Sequence, residues 1–443
     1  MSAEELAPDE GTTEPVPDPV ARDVARWASS LQLAPAALAA IALGFGVIAA
    51  AWLTVASVRA AMVAFGALLA AFVAGRAARL MSAHGLTAST EWGLAVCATL
   101  TELAVYAGMA GSAIVNRTTA GMTGPVGSRL LHRTFLATFG GPGVTGVWRL
   151  AAAAAITLAV LQLADVCLPA RPATESGHRR FRVFAVTPGG ARLLLIGAAF
   201  LLAGARVAFL LVIVLGAAGF AGLLAGGGGS PAQSAWLPAG RGDGLLAGWI
   251  GRFVGGRLPP LPPLLVGLLV TGMLASLGLR NLSGILVFTP VEAMMLAALA
   301  SWHPHDGRTD WLAPPLLEAG ECVFIAAAGF AGRAWPPVTF ALLAAIGLRH
   351  LDLAYRARSL LPPGQSGRLA ARKGRLPHAD GRGLGWDGRM LVAGVAVAAG
   401  IVPFVFPVLA LYLWAVAGWD FVVGWPAGWG QREGSAGHAA VDG

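Results

Sequence analysis

Long apolar runs separated by short polar breaks dominate the chain. They cover residues 35–56, 57–75, 92–115, 146–168, 191–204 and 206–226. After a break rich in glycine and proline they resume at 263–279, 283–301, 312–332 and 337–355. Most reach the length that about 30 Å of hydrocarbon demands of an α-helix. The fifth run is short, and Gly204-Ala205-Arg206 is expected to link it tightly to the sixth. A last stretch, 390–424, is too long for one straight crossing, so Pro403 and Pro407 are expected to kink it or split it into a hairpin. The pattern predicts an all-α, polytopic helical membrane protein with about 10–12 transmembrane helices.

The breaks have patterns of their own. Residues 1–18 are acidic and proline-rich, with no basic segment leading into an apolar core, and read as a disordered tail rather than a signal peptide. Asp18-Pro19 resembles an N-cap followed by proline at the first helical position. Val20, Val24, Trp27 and Leu31 then recur at helical spacing with Arg22, Asp23 and Arg26 on other faces. That arrangement predicts a short amphipathic helix on the membrane surface. Residues 227–260 read as a Gly/Pro-rich linker with a surface helix near 244–256, 356–389 as a basic loop and 426–443 as a second disordered tail. The expected organisation is therefore a membrane domain over 19–226 and a C-terminal membrane domain over 261–425.

Composition agrees with this pattern. Of 443 residues, 56% are hydrophobic and 12% charged, with a mean hydropathy of +0.69, too apolar for a soluble domain to bury. The net charge of +8 is nearly all arginine, and Lys373 is the only lysine. In a soluble chain such a balance would suggest nucleic acid. Here the arginines serve as topology signals facing anionic headgroups, and no nucleic-acid partner is expected. With the N-terminus in the cytoplasm, arginines favour the inner side by about three to one. The expected location is a bacterial cytoplasmic membrane, crossed many times. Cys97, Cys167 and Cys322 show no ligand or disulfide spacing and read as apolar fillers.

One stretch carries a family signature. Residues 71–79, Ala-Phe-Val-Ala-Gly-Arg-Ala-Ala-Arg, resemble the D-x-x-D-G-x-x-A-R segment of the CDP-alcohol phosphatidyltransferases, with Gly75, Ala78 and Arg79 in register. Thr101 to Gly108 is similar to an E-x-A-x-Y-A-G segment of actinobacterial members, and residues 190–226 resemble their last two helices. The resemblance covers 19–226 and implies a six-helix bundle behind an amphipathic helix. In that family, aspartates on two adjacent helices hold Mg or Mn against the pyrophosphate of a CDP-linked lipid. This chain has Ala71 and Ala74 at the first two aspartate positions, and Trp92 and Val96 at the next two. The carboxylates that would bind hard cations are missing, so no cofactor is expected.

Residues 240–425 resemble a membrane domain of unknown function found in actinobacterial proteins, sometimes beside phosphatidyltransferase-like domains. The pieces that carry this are Leu258 to Pro263, Asp306 to Trp311, Arg349-His350-Leu351-Asp352, Tyr355-Arg356 and Trp386 to Arg389.

Candidate chemistry follows from where charge survives. Arg76, Arg79, Arg308, Arg349, Arg356 and Arg389 are candidates for binding phosphate or headgroups. Glu91, Glu102, Asp306, Asp310, Glu321, His350 and Asp352 form a candidate polar cluster. The competing reading is ordinary salt-bridged helix ends and positive-inside loops. His303, His305 and Asp306 lack a fourth placed ligand, so no metal ligand and no catalytic residue is assigned. Glu102, Asp165, Glu292, Glu318 and Glu321 lie within or near spans, where ionisable groups usually face a partner. For Glu102 the family arrangement would supply Arg206. An internal echo links Glu91-Trp92 and Glu102 to Asp310-Trp311 and Glu321, each pair eleven residues apart and so on one helix face.

These residues support a catalytically degenerate phosphatidyltransferase-like protein that binds lipid, nucleotide-lipid or a protein partner, including a second copy of itself, at the cytoplasmic face. One alternative is an active Mg- or Mn-dependent transferase using displaced carboxylates and a CDP-linked donor. The other is a transporter or flippase.

Overall fold

The computed structural model describes residues 19–55, 57–82, 88–115, 143–168, 191–226, 237–254, 258–277, 288–296, 307, 309–359 and 384–427. Among them, regular structure is helical throughout. Eight helices are long and apolar enough to cross a membrane. The chain is a multi-pass helical membrane protein. The tails 1–18 and 428–443, residues 227–236 and 255–257 of the linker and 360–383 of the basic loop, with Asp306 and Arg308, lie outside the described residues.

The chain divides into two compact units, Met1–Phe139 with Ala173–Leu211, and Gly140–Pro172 with Val212–Gly443. The division does not follow chain order, because the helix Gly143–Cys167 is counted with the second unit.

In the first unit, α1 (Pro19–Ser30) is the expected amphipathic helix. It ends where Gln32 adopts a left-handed φ of 55° and the Leu33 N–H reaches back to the Ala28 carbonyl, a Schellman closure. Helix α2 (Pro35–Leu53) packs against α3 (Val58–Ser82) and α4 (Ala88–Val115). Small residues set that distance. A Cβ on Gly108 of α4 would lie 2.4 Å from the Ala50 carbonyl oxygen of α2. After α5 (Gly143–Cys167), which belongs to the second unit, α6 (Ala191–Ala203) packs on α3 and turns through Gly204, at φ 87°, into α7 (Ala205–Gly226). Gly204 is the tight link expected there.

The second unit is built around α12 (Ala313–Ala331) and α13 (Pro336–Ser359). A single 3₁₀ turn, Asp310–Leu312, leads into α12. The two helices form a hairpin whose turn places Arg333 at φ 58°. Around them lie α5, the one-turn α8 (Leu237–Gly240), α9 (Leu245–Val254), α10 (Leu261–Leu277), α11 (Thr289–Met295), α14 (Trp386–Ala398) and α15 (Val402–Ala427). The most apolar windows of α12 and α13 are 72% and 83% buried, against 28% for α15. Those two helices are therefore the interior, and an ionised side chain they carry needs a partner inside the protein.

One expectation changes, and one expected span is described only in part. The stretch 390–424 does break, but at Gly400 rather than at Pro403 or Pro407. Gly400 takes φ 69°, and the Ile401 N–H closes on the Ala396 carbonyl. Only glycine adopts that conformation without strain, and Pro403 then fits the first turn of α15, where its missing N–H costs nothing. The expected span 283–301 contains, among its described residues, only the short helix α11.

Candidate functional site

The signature-like stretch lies in the C-terminal part of α3, with Arg79 in its last turn. Ala71, Ala74, Ala77 and Ala78 are buried, and Ala77 and Ala78 share a cluster with Ala25 and Ala28 of α1 and with Leu38 and Ala39 of α2. A Cβ on Gly75 would just touch Ala42 of α2, at 4.0 Å. Small side chains at these positions let three helices meet closely. Arg79 turns back along its own helix, its Nε donating to the Gly75 carbonyl at 3.3 Å. Arg76, Glu91 and Trp92 are part-exposed and Val96 is buried.

Deeper in this unit, Glu102 sits fully buried near the middle of α4. Arg192, in the first turn of α6, donates one Nη2 to both of its oxygens, at 2.7 and 3.0 Å. This corrects the expected pairing with Arg206, which lies fourteen residues further on in α7. Arg192 reaches the carboxylate because α6 begins alongside the midpoint of α4 instead of at its end. Tyr106, one turn on from Glu102, stacks edge-to-face on Phe209 at 6.0 Å.

In the second unit, polar groups gather where the first half of α12, the second half of α13, the first turn of α14 and the last turns of α15 meet. Glu321 of α12 is their centre. Its Oε1 accepts Arg389 Nε at 2.5 Å, and its Oε2 accepts Arg389 Nη2 and faces His350 Nε2, both at 2.8 Å. Arg389 Nη1 donates to the Leu384 carbonyl at 2.7 Å. All three side chains are essentially sealed from solvent. Glu321 lies eleven residues past Asp310, roughly 16 Å along a helix axis and so well inside a span.

A second network lies toward the rim. Arg349 of α13 donates to Asp420 of α15 at 2.5 Å and to Asp352 at 3.2 Å. Arg356 donates to Asp352 at 2.8 Å and keeps about a third of its side chain exposed. A third group ties on the loop before α9. Arg241 pairs with Asp243 at 3.3 Å, and Asp243 accepts the Trp386 indole N–H at 2.8 Å. Asp387 accepts the Ala247 N–H at 2.9 Å, capping α9 from another helix. Asp310 binds the Gly307 N–H at 2.8 Å and shapes the entry to α12.

The structure thus brings together Glu321, His350 and Arg389, and separately Arg349, Asp352 and Arg356. Glu91 and Glu102 belong to the other unit. Sequence reasoning missed Arg192 and Asp420. Asp420 had a signal, being the lone charge in the run 390–424. Arg192 had none beyond standing at the start of a short apolar run.

Chemically, these arginines are engaged by the protein's own carboxylates. Arg349 and Arg389 would have to give up Asp420 or Glu321 to receive a phosphate, a costly exchange for buried charges. Arg356 is the guanidinium of the network with exposed surface. Among the described residues, no group of three or more His, Cys, Asp or Glu side chains is placed to hold a metal ion.

No curated protein and no solved structure matches the chain. Residues 238–423, which contain all three polar groups of the second unit, from Arg241 to Asp420, match the profile of a family of unknown function, DUF5941.

Proposed function

We propose that this protein binds anionic lipid at the cytoplasmic face of a bacterial membrane and does not turn over a CDP-linked donor at its signature-like stretch. The observation that carries the reading is α9. This helix points Leu245, Trp249 and Phe253 outward, at 91, 62 and 84% exposure, and carries Arg252 in its last turn. Its other side is held to α14 by the Asp387 cap. An apolar face displayed beside a basic residue suits a helix lying at the headgroup boundary. Trp249 and Phe253 stack at 6.0 Å, which suits an interfacial anchor.

The resemblance of residues 19–226 to phosphatidyltransferases fits a bundle that keeps the small-residue packing of Gly75 and Ala78 without carboxylates at 71, 74, 92 and 96.

The test is thermal unfolding of the purified protein with added phosphatidylglycerol or phosphatidylcholine. Phosphatidylglycerol should raise the melting temperature more, and the triple variant Trp249→Ala, Arg252→Gln, Phe253→Ala should lose that difference. Equal shifts from both lipids, or an unaffected variant, would overturn the proposal.

A further inference from the structure

Glu318 is the buried acid that the networks above do not absorb. It sits on α12, three residues before Glu321, fully buried, and among the described residues neither carboxylate oxygen has a hydrogen-bond partner. It lies eight residues past Asp310, roughly 12 Å along the helix and inside an apolar span.

Its surroundings fit a small occupant. Oε1 would lie 3.4 Å from a Cβ built on Gly347 of α13, and that same Cβ would lie 2.9 Å from Ala159 of α5. The glycine leaves the carboxyl room between α12, α13 and α5. The titratable groups that interact with it are Glu321 and Cys322 on α12, Arg389 on α14 and Cys167 on α5. The only cation among them, Arg389, already holds Glu321 through two hydrogen bonds. Glu318 is left with no counter-charge of its own. His350, whose Nε2 faces Glu321, has no partner at Nδ1 among the described residues.

An ionised carboxylate so placed would lose its hydration and gain no partner in return, a cost a folded membrane protein does not bear. A proton removes the charge and fits the space. We infer that Glu318 is a proton-binding site of the second unit, occupied at neutral pH. The inference does not depend on lipid binding at α9.

The test is infrared difference spectroscopy of the full chain reconstituted in lipid, comparing the protein with Glu318→Gln, whose side chain has nearly the same shape. At neutral pH the protein should show the carbonyl stretch of a protonated carboxyl. The band should shift in D₂O, weaken as pH rises, and be missing in Glu318→Gln, while thermal melting shows the variant folded. Three results would overturn the inference: no such band in the unaltered protein, an equal band in the variant, or a band indifferent to both D₂O and pH.

Discussion

Glu321 and Arg389 stand 68 residues apart and meet along one full edge of the guanidinium, Nε on Oε1 and Nη2 on Oε2. The pair joins α12 to α14 inside a span. Removing either partner leaves the other charged, dry and unmatched. Glu321→Ala or Arg389→Met should each cost about 3–5 kcal/mol of stability. Replacing both, as Glu321→Leu with Arg389→Met, should recover a large part of that loss. Arg389→Lys should not rescue, because an ammonium cannot reproduce the two parallel bonds. Unfolding in detergent, run as a double-mutant cycle, checks all of these values.

The first unit repeats the theme with Glu102 and Arg192. In each unit a buried glutamate, eleven residues after an acid-Trp pair, receives an arginine from the first turn of a later helix. A cycle on Glu102→Gln and Arg192→Gln should give a coupling energy in the range of about 0.5–3 kcal/mol seen for contacting pairs. The cycle of Glu102→Gln with Arg206→Gln should give a coupling close to zero.

The spans were legible because apolar length alone marks them: α2, α4, α5, α7, α12 and α13 lie close to where the runs predict. The role of Gly400 was not legible. A proline announces a break in sequence, whereas the break itself needs a left-handed residue, and sixty glycines offer too many candidates. The polar site was half legible. Glu321, His350, Asp352 and Arg389 stand out as charges beside or within apolar runs. Which of them pair depends on helix crossings, and local pattern does not encode those. The sequence offered Glu102 only Arg206, and Arg192 became its partner because the start of α6 lies alongside the middle of α4.

The junction between α9 and α14 is tight enough to test with single methyl groups. A Cβ on Gly244 would lie 2.0 Å from Asp387 Oδ1, and one on Gly385 would lie 2.2 Å from the Gly244 nitrogen. Both contacts are with backbone or with a buried side chain that cannot move aside. Gly244→Ala or Gly385→Ala should cost about 1–3 kcal/mol through overpacking. Asp387→Ala should instead act locally. Loss of the cap on the Ala247 N–H should speed amide hydrogen exchange in α9 and leave α13 protected.

The signature-like stretch allows a test in the opposite direction, by restoring what is missing. Ala71 and Ala74 are buried at 3% and 6% exposure on a face of α3 lined with other alanines. Ala71→Asp with Ala74→Asp should therefore lower stability by about 3 kcal/mol for each aspartate, the usual cost of that side chain near the centre of a span. The variant should release no CMP from CDP-diacylglycerol in the presence of manganese, and neither should the unaltered protein. CMP release by the unaltered protein that vanishes in Glu91→Gln would instead mean that a displaced carboxylate had taken over the chemistry. Release gained only by the double variant would mean that the packing around Gly75 and Ala78 still preserves a working nucleotide site.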